Sequence, residues 1–355
     1  PPGGGAGVVC ARGPRPARGG AVPMRQIEIE WFNLAPGIPR KKVVATLEEQ
    51  RNPALCDLLW GHLPYSSIQH HALISGQHLY HYSPVVESFF AEAKTKESRS
   101  RSPDGTVFLS YLQHLSVKYG FLTEDLPAAP VARVLPECLA DLREVGLACW
   151  GSTFKDKNLV EVRVSRRGEP LAGAYRVPPP GPLARPAARQ LAADVHGETE
   201  RIWLRPPPEL VDLFSGRIAS GAGAYNQYFS TLVFVNGEER ALAYNALGGL
   251  LKSCRRSDIS LETLRQITPN FVLVPAEFLG YCGLETLAHF VTRFVAVLGE
   301  LESKDEYSTL LSALTMYANK LNGWSLHYFP WVHGREYLYP TPLAEQPLGP
   351  LLAAE

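Results

Sequence analysis

Three side chains between Lys94 and Leu126 could together carry acid–base chemistry. Arg99 lies in a charged, polar run, His114 lies in a segment that alternates like a strand, and Glu124 follows that segment. A guanidinium can anchor an anion, an imidazole can pass protons near neutral pH, and a carboxylate can act as a base. Spacing alone leaves the alternative open that Arg99 is a solvated charge and Glu124 a surface acid.

The direction of His114 follows from the alternation of its strand. Leu115 and Val117 are apolar and occupy alternate positions, so they share one face of the strand. His114 then points to the other face, together with Leu112 and Ser116. The pattern predicts that the imidazole turns away from the apolar side of the sheet.

Five of the ten histidines lie in the short range 62–81. Strand alternation places His71 and His81 on one face, and His70 and His78 on the other. A cupin-like metal site would need a tight His-x-His with a nearby Glu, and this cluster lacks that spacing. We predict no metal site here, and expect these histidines to line a barrel or its surface.

Other short motifs give little support to a cofactor site. Gly221-Ala222-Gly223 lacks the third glycine of the dinucleotide fingerprint, and Tyr228–Val235 after it is typical of a strand where a helix is required. The six cysteines form no C-x-x-C pair. This pattern predicts isolated thiols in a reducing cytoplasm and no bound cofactor.

The elements that must position these side chains change in character along the chain. Period-two runs separated by turn signals dominate the first half and favour a small barrel or sandwich. Helical periodicity dominates the second half, where Ser303 and Glu306 form a capping box for a helix that we expect to end at Asn322-Gly323. The sequence thus predicts an α+β architecture.

Composition shifts predict five segments. The first has seven Gly, five Pro, three Arg and no acid, so it cannot offset the entropy cost of ordering, and Met24 is the expected natural start. The Pro-rich run Val177–Pro182 is stiff and marks the boundary between the halves. The predicted segments are a disordered extension (1–23), a β-barrel-rich catalytic domain (24–176), a Pro-rich seam (177–187), a mainly helical domain (188–340) and a flexible tail (341–355).

Overall composition excludes several classes of protein. The chain has 355 residues, of which 45% are hydrophobic, and 35 Lys and Arg balance 35 Asp and Glu. The apolar content excludes a wholly disordered or fibrous chain, and the zero net charge argues against a nucleic-acid partner. The longest apolar stretch, Phe290–Leu298, is interrupted by Arg293, so we expect no membrane span.

Longer runs of residues identify a protein family more specifically than any of these short motifs. They are Met24–Trp31, His71–Gly76, His78–His81, Ser102–Ser110, Leu112–His114, Val117–Gly120, Arg217–Ser220, Gln227–Phe234, Pro275–Tyr281 and Tyr317–Asn319. Together they resemble the bacterial Pictet–Spengler cyclases that form β-carbolines in marinacarboline biosynthesis. The likeness runs from Met24 to about Tyr337. Cucumopine and mikimopine synthases, opine enzymes that close a ring on histidine, are more distantly similar.

The resemblance implies a cyclophilin-like β-barrel followed by a helical region, assembled as a homodimer. It implies that Glu124 is the acid–base carboxylate, with Arg99 and His114 lining the same pocket. Arg99 would bind a substrate carboxylate through its planar fork, and His114 would orient a carbonyl or relay protons. Tyr82–Phe90 and the Pro-rich seam depart from the family, so the shape of the aldehyde pocket does not carry over.

The function that the resemblance implies is cofactor-independent condensation of L-tryptophan with a 2-oxo aldehyde resembling oxaloacetaldehyde. Decarboxylation and oxidation would then give a 1-acyl-3-carboxy-β-carboline, with dioxygen as the electron acceptor. One alternative is an opine-type synthase that cyclises histidine with a keto acid. The other is a non-catalytic protein that binds small molecules on the same barrel.

Overall fold

The computed structural model describes residues 24–38, 40–218, 220–221 and 228–331. The predictions made for 1–23, for 341–355 and for the last nine residues of 188–340 fall outside these ranges, as does most of the Gly221-Ala222-Gly223 motif.

The first half of the described chain is built mainly from short strands. In chain order its elements are β1 (Gln26–Phe32), β2 (Lys41–Leu47), α1 (Pro53–Gly61), β3 (Tyr65–Ile68), β4 (His70–His71), β5 (Gly76–Tyr82), β6 (Glu97–Ser98), β7 (Thr106–Leu109), β8 (His114–Leu122), β9 (Pro127–Ala128), β10 (Pro130–Val134), α2 (Leu139–Gly151) and β11 (Glu161–Arg166). The last turn of α2 continues as a π-helical stretch, Ser152–Asp156.

Nine of these strands form one antiparallel sheet in the order β3-β11-β1-β2-β10-β7-β8-β5-β4. The strands at its two ends, β3 and β4, are separated in the chain by Gln69 alone. The sheet therefore curls back on itself and forms a nearly closed barrel. Gln69 holds this junction, because its side chain accepts a 2.8 Å hydrogen bond from Trp31 Nε1 and donates to the carbonyl of Tyr80.

The barrel core is filled from alternate positions of the strands and from two helices. α2 packs Leu142, Val145 and Cys149 against the sheet, all of them fully buried. At Gly146 the helix touches the barrel, since a Cβ there would lie 2.4 Å from the ring of Tyr119. Only glycine permits this close approach.

The second half of the described chain is helical. Its elements are α3 (Pro186–Ile202), α4 (Pro208–Phe214), α5 (Tyr228–Arg240), a π-helical stretch (Ala241–Leu247), α6 (Gly248–Cys254), α7 (Leu261–Cys282), α8 (Glu285–Val297) and α9 (Lys304–Tyr328). These helices surround a second apolar core, which also takes in Ile68, Tyr82 and Phe89 from the first half. Among the helices described here, none is both long enough and apolar enough to cross a membrane.

The prediction of a strand at Tyr228–Val235 is wrong, because this segment begins α5. Its β-branched and aromatic residues favour a strand locally, but Leu232 and Val235 are buried while Phe234 is 64% exposed. Leu232, Val235 and Glu239 follow helical spacing, so burial against the other helices overrides the local preference.

The predicted start of α9 is confirmed, and its predicted end is wrong. Ser303 Oγ accepts a hydrogen bond from the backbone N–H of Glu306. The helix continues through Asn322-Gly323 to Tyr328 because Gly323 packs against Tyr82 and does not turn the chain. The α+β class, with a barrel followed by a helical region, is confirmed.

Candidate active site

His114 begins β8 on the face of the sheet that turns toward the helical half. The antiparallel register of β5 and β8 places His114 opposite Tyr82. The alternate residues Leu115 and Val117 are buried in the barrel core. The predicted direction of His114 is therefore confirmed.

Aromatic rings enclose the imidazole of His114. Its ring centroid lies 4.7 Å from that of Tyr80 and 4.8 Å from that of Tyr82, and its Nε2 lies 2.9 Å from the hydroxyl oxygen of Tyr244. Burial lowers the pKa of His114 well below its ordinary value, and the positive charges of Arg240 and Arg99 lower it further. The imidazole is neutral at pH 7 as a result.

A two-stranded ribbon brings Arg99 and Glu124 together. Arg99 directly follows β6, which pairs with β9, and the backbone N–H of Arg99 donates to the carbonyl of Leu126. In this arrangement Arg99 Nη2 donates to Glu124 Oε2 across 2.5 Å, with the two side chains 20% and 28% exposed. The carboxylate and guanidinium predicted from the sequence thus form a half-buried ion pair.

Lys118 fixes the loop that carries Arg99, and sequence reasoning missed it. Its Nζ donates to the carbonyls of Ser100 and Ser102 and lies 3.5 Å from Asp104 Oδ1. Lys118 is buried on the same face of β8 as His114. The signal was present in the sequence, since 114, 116 and 118 share one face of a strand.

His114 makes no direct contact with the ion pair within the described residues. It begins β8, whereas Glu124 comes two residues after the end of that strand. The charge of Arg99 lowers the pKa of His114 and also of His78, so the guanidinium acts on this face of the sheet. The structure therefore pairs two of the three predicted residues and places the third farther along the same face.

The helical half contributes two side chains that sequence reasoning also missed. Tyr244 comes from the π-helical stretch and Asn322 from α9, and both reach the hydroxyl of Tyr82. Asn322 Nδ2 lies 3.1 Å from Tyr82 Oη and 3.3 Å from Tyr244 Oη. No local sequence signal marks these contacts, because each joins residues far apart in the chain.

The remaining histidines of the 62–81 range are dispersed among separate partners. His71 Nε2 lies 2.7 Å from Tyr119 Oη, and His81 Nε2 lies 2.9 Å from Tyr65 Oη. In the part of the chain that the structure describes, no group of three or more His, Cys, Asp or Glu side chains could hold a metal ion. Burial lowers the pKa of His71 to about 4 and that of His81 to about 3, so both are neutral at pH 7.

A cavity of about 280 Å³ lies away from these residues, beside the Pro-rich segment. Its walls combine that segment with the end of α6 and one side of α9, and include Glu87, Pro179, His196, Arg255, Asp305 and Met316. Its charges are of mixed sign, and it contains none of Arg99, His114 and Glu124. We therefore place the candidate chemistry at the ion pair and the sheet face, not in this cavity.

Known proteins resemble this chain in sequence and in structure. A family model described as the cucumopine synthase C-terminal helical bundle domain matches residues 188–328. The structure of McbB in complex with tryptophan is 53% identical, with a TM-score of 0.83 over 88% of this chain and 100% of that one. No curated protein sequence matches this chain.

One more solved structure is similar at a much lower level. It is the solution structure of the hypothetical protein AF2241 from Archaeoglobus fulgidus, which covers 40% of this chain and 95% of its own. Its identity with this chain is 14% and its TM-score is 0.27. The match to McbB, by contrast, covers 88% of this chain and therefore extends over both halves of the fold. The chain belongs to the McbB family of Pictet–Spengler cyclases and is an enzyme.

Proposed function

We propose that this enzyme condenses L-tryptophan with a 2-oxo aldehyde in a Pictet–Spengler reaction. The observation that carries the proposal is the Arg99–Glu124 ion pair, which lies in a chain 53% identical to McbB, a protein whose structure holds tryptophan. Membership of an enzyme family sets aside the alternative of a non-catalytic binding protein.

Glu124 is the acid–base residue in this proposal. The reaction begins when the neutral amine of tryptophan attacks the aldehyde carbon, which requires removal of one proton from nitrogen. Loss of water then requires an acid, and the indole carbon attacks the resulting iminium. A base must finally remove the proton from that indole carbon, and one carboxylate can serve in turn as base and acid.

Arg99 binds the carboxylate of the amino-acid substrate. Only its Nη2 has a side-chain partner, Glu124, among the described residues. The remaining guanidinium N–H groups can therefore donate to a second carboxylate, and the planar fork of arginine suits bidentate binding. Such binding would place the amine of the same substrate beside the Glu124 carboxylate.

The aromatic face next to His114 suits the cationic intermediates of this reaction. Tyr80, which is partly exposed, presents its ring beside the imidazole. An iminium or an indole-derived cation is attracted by the negative faces of such rings. A neutral His114 can orient the carbonyl of the aldehyde substrate without adding a positive charge to the site.

The later steps belong to the same proposal. If the aldehyde carries a carboxylate β to its ketone, C–C cleavage releases CO₂ and leaves an acyl group. Aromatisation removes four hydrogens from the tetrahydro ring, and two molecules of dioxygen accept them as two molecules of hydrogen peroxide. We further propose that the enzyme acts as a cytoplasmic homodimer without a bound cofactor.

One alternative substrate pair is supported by a specific observation. The helical half matches a domain model built on cucumopine synthase, and such an opine-type enzyme would cyclise histidine with a keto acid. An indole needs a wider apolar wall than an imidazole. The melting temperature in the presence of L-tryptophan or L-histidine distinguishes the two, because the true substrate stabilises the folded protein.

The proposal is tested by mass spectrometry of reactions in air with L-tryptophan and a panel of 2-oxo aldehydes. A blank without enzyme is required because these substrates cyclise slowly unaided. Glu124→Gln should lower the rate at least about 100-fold, the usual contribution of general acid–base catalysis. Glu161→Gln is the matched control, since Glu161 is similarly buried and paired with Arg163 on the remote strand β11. No product above the blank with any aldehyde would contradict the proposal.

A further inference from the structure

Tyr244 and Tyr82 form a buried hydroxyl pair that ends at the ring of His114. The two hydroxyl oxygens are in direct hydrogen-bond contact, and Tyr244 Oη also lies 2.9 Å from His114 Nε2. Tyr82 is 1% exposed and Tyr244 8% exposed, so neither hydroxyl pairs freely with bulk water. Each proton in this chain of atoms needs an acceptor within the network.

The side-chain amide of Asn322 limits the number of hydrogen-bond acceptors in this network. In the orientation that its amide takes in the structure, Nδ2 faces the hydroxyl oxygens of both Tyr82 and Tyr244 and can only donate to them. The Tyr82 hydroxyl has no other hydrogen-bond partner among the described residues, so the oxygen of Tyr244 is the one acceptor within its reach. Tyr82 therefore donates to Tyr244.

The proton of Tyr244 must then go to His114. If the direction were reversed, His114 Nε2–H would donate to Tyr244 and Tyr244 would donate to Tyr82. The Tyr82 proton would then be buried without an acceptor, a cost that folded proteins avoid. Counting donors and acceptors thus selects one tautomer of the imidazole.

We propose that Tyr244 holds His114 as the neutral tautomer with its proton on Nδ1, so that His114 meets the substrate as a hydrogen-bond donor. Nε2 accepts the proton of Tyr244 and is unavailable as a base. Nδ1 has no hydrogen-bond partner in the described part of the chain, and the His114 side chain is partly exposed. Tyr244 is a positioning residue in this scheme. Through it, the helical half fixes the tautomer of His114 in the barrel.

The backbone around Tyr244 fits this assignment. Tyr244 lies in the middle of the π-helical stretch Ala241–Leu247, between α5 and α6. Such π-helical turns are rare in proteins overall, and those that occur often lie at functional sites. Leu242 and Leu247 on either side are buried in the helical core, which fixes the stretch relative to α9.

The tautomer can be measured on the resting enzyme, without any substrate. The probe is the ¹⁵N spectrum of protein labelled at histidine ring nitrogens, with the His114 signals identified by their loss in His114→Gln. We expect Nε2 to resonate as an unprotonated nitrogen and Nδ1 as a protonated one. A protonated Nε2 in the wild-type enzyme at pH 7 would overturn the proposal.

Tyrosine variants test the role of each hydroxyl. Tyr244→Phe should mix the two tautomers, whereas Tyr82→Phe should preserve the assignment because Tyr244 can still donate to His114. Tyr307→Phe is the matched control, since its buried hydroxyl pairs with Thr268 at 2.7 Å in the helical core. An unchanged His114 spectrum in Tyr244→Phe would contradict the role given to Tyr244.

The kinetic test of Tyr244 rests on the proposed function, and its result is interpreted separately from the ring-nitrogen spectra. Tyr244→Phe should lower kcat about tenfold, the effect of one well-aligned hydrogen bond, while Tyr307→Phe stays within about twofold. A tautomer change without a fall in kcat would overturn the donor role of His114. Absence of product from the wild-type enzyme would refute the proposed function and leave the ring-nitrogen spectra to decide the tautomer.

Discussion

Gly323 of α9 lies directly against the ring of Tyr82 on β5. A Cβ added to the glycine would sit 2.7 Å from Tyr82 Cε2 and 3.1 Å from His70 Nε2. The helix can approach the barrel this closely only because residue 323 has no side chain. At this contact the helical half packs against the sheet face that carries His114.

Gly323→Ala should destabilise the protein by about 1–3 kcal/mol, since a rigid ring cannot yield to the new methyl group. The shift of Tyr82 should also reduce activity, because Tyr82 packs against His114. Gly197→Ala in α3 is the control, as nothing lies within 4 Å of the added Cβ. Alanine there should stabilise the protein by about 0.5–1 kcal/mol. Urea unfolding compares the two variants, and equal stability changes would contradict the packing argument.

The sequence predicted the features that depend on local periodicity. The direction of His114 followed from Leu115 and Val117, and the start of α9 followed from Ser303, because each depends on neighbours within a few residues. The helix at Tyr228 and the passage of α9 through Gly323 depend on distant packing, and local signals predicted the opposite. Tyr244 escaped notice for the same reason, since His114 lies 130 positions away in the chain.

Lys118→Met should impair catalysis more than it impairs folding. The ammonium group holds two carbonyls of the loop that carries Arg99, so its loss frees the guanidinium from its place beside Glu124. We expect kcat/KM to fall about tenfold, which corresponds to about 1.4 kcal/mol of transition-state stabilisation.

Lys41→Met provides the comparison for Lys118→Met. Lys41 is 19% exposed and pairs with Asp141 and Glu144 on the remote side of the barrel. Its loss should change the melting temperature with little effect on kcat/KM. Equal kinetic losses in the two variants would contradict the role given to Lys118.

Glu239→Gln should be more stable than the wild type at pH 8, and this advantage should be smaller at pH 5. Glu239 is fully buried, and burial raises the pKa of its carboxyl to about 8. Between about pH 4.5 and pH 8 the folded state keeps the proton and the unfolded state loses it, so rising pH destabilises the wild type. The advantage of the variant should grow by up to about 1.4 kcal/mol per pH unit in that window.

Glu277→Gln is the control for the Glu239 prediction, because the Glu277 side chain is exposed on α7. Its stability difference from the wild type shows what the loss of an exposed carboxyl does at each pH. Denaturant unfolding at several pH values measures both variants. A pH-independent difference for Glu239→Gln would mean that the carboxyl does not retain its proton in the folded protein.

Lys320→Met should stabilise the protein at pH 6, with an advantage that shrinks as the pH rises. Lys320 is 1% exposed, its Nζ has no hydrogen-bond partner in the described chain, and its neighbours are the rings of Trp203 and Trp324. Burial lowers its pKa to about 7. Below pH 7 the lysine is charged in both states, so the folded protein bears the full cost of a buried ammonium group.

Between pH 7 and about pH 10 the folded state releases the proton of Lys320 while the unfolded state keeps it. Rising pH therefore stabilises the wild type, and the advantage of Lys320→Met should fall by up to about 1.4 kcal/mol per pH unit. Lys42→Met is the control, because Lys42 is 50% exposed and pairs with Glu28 at the surface. Urea unfolding at pH 6, 8 and 9.5 measures the trend. This slope is opposite in sign to that of Glu239, so a general alkaline effect on folding cannot produce both results.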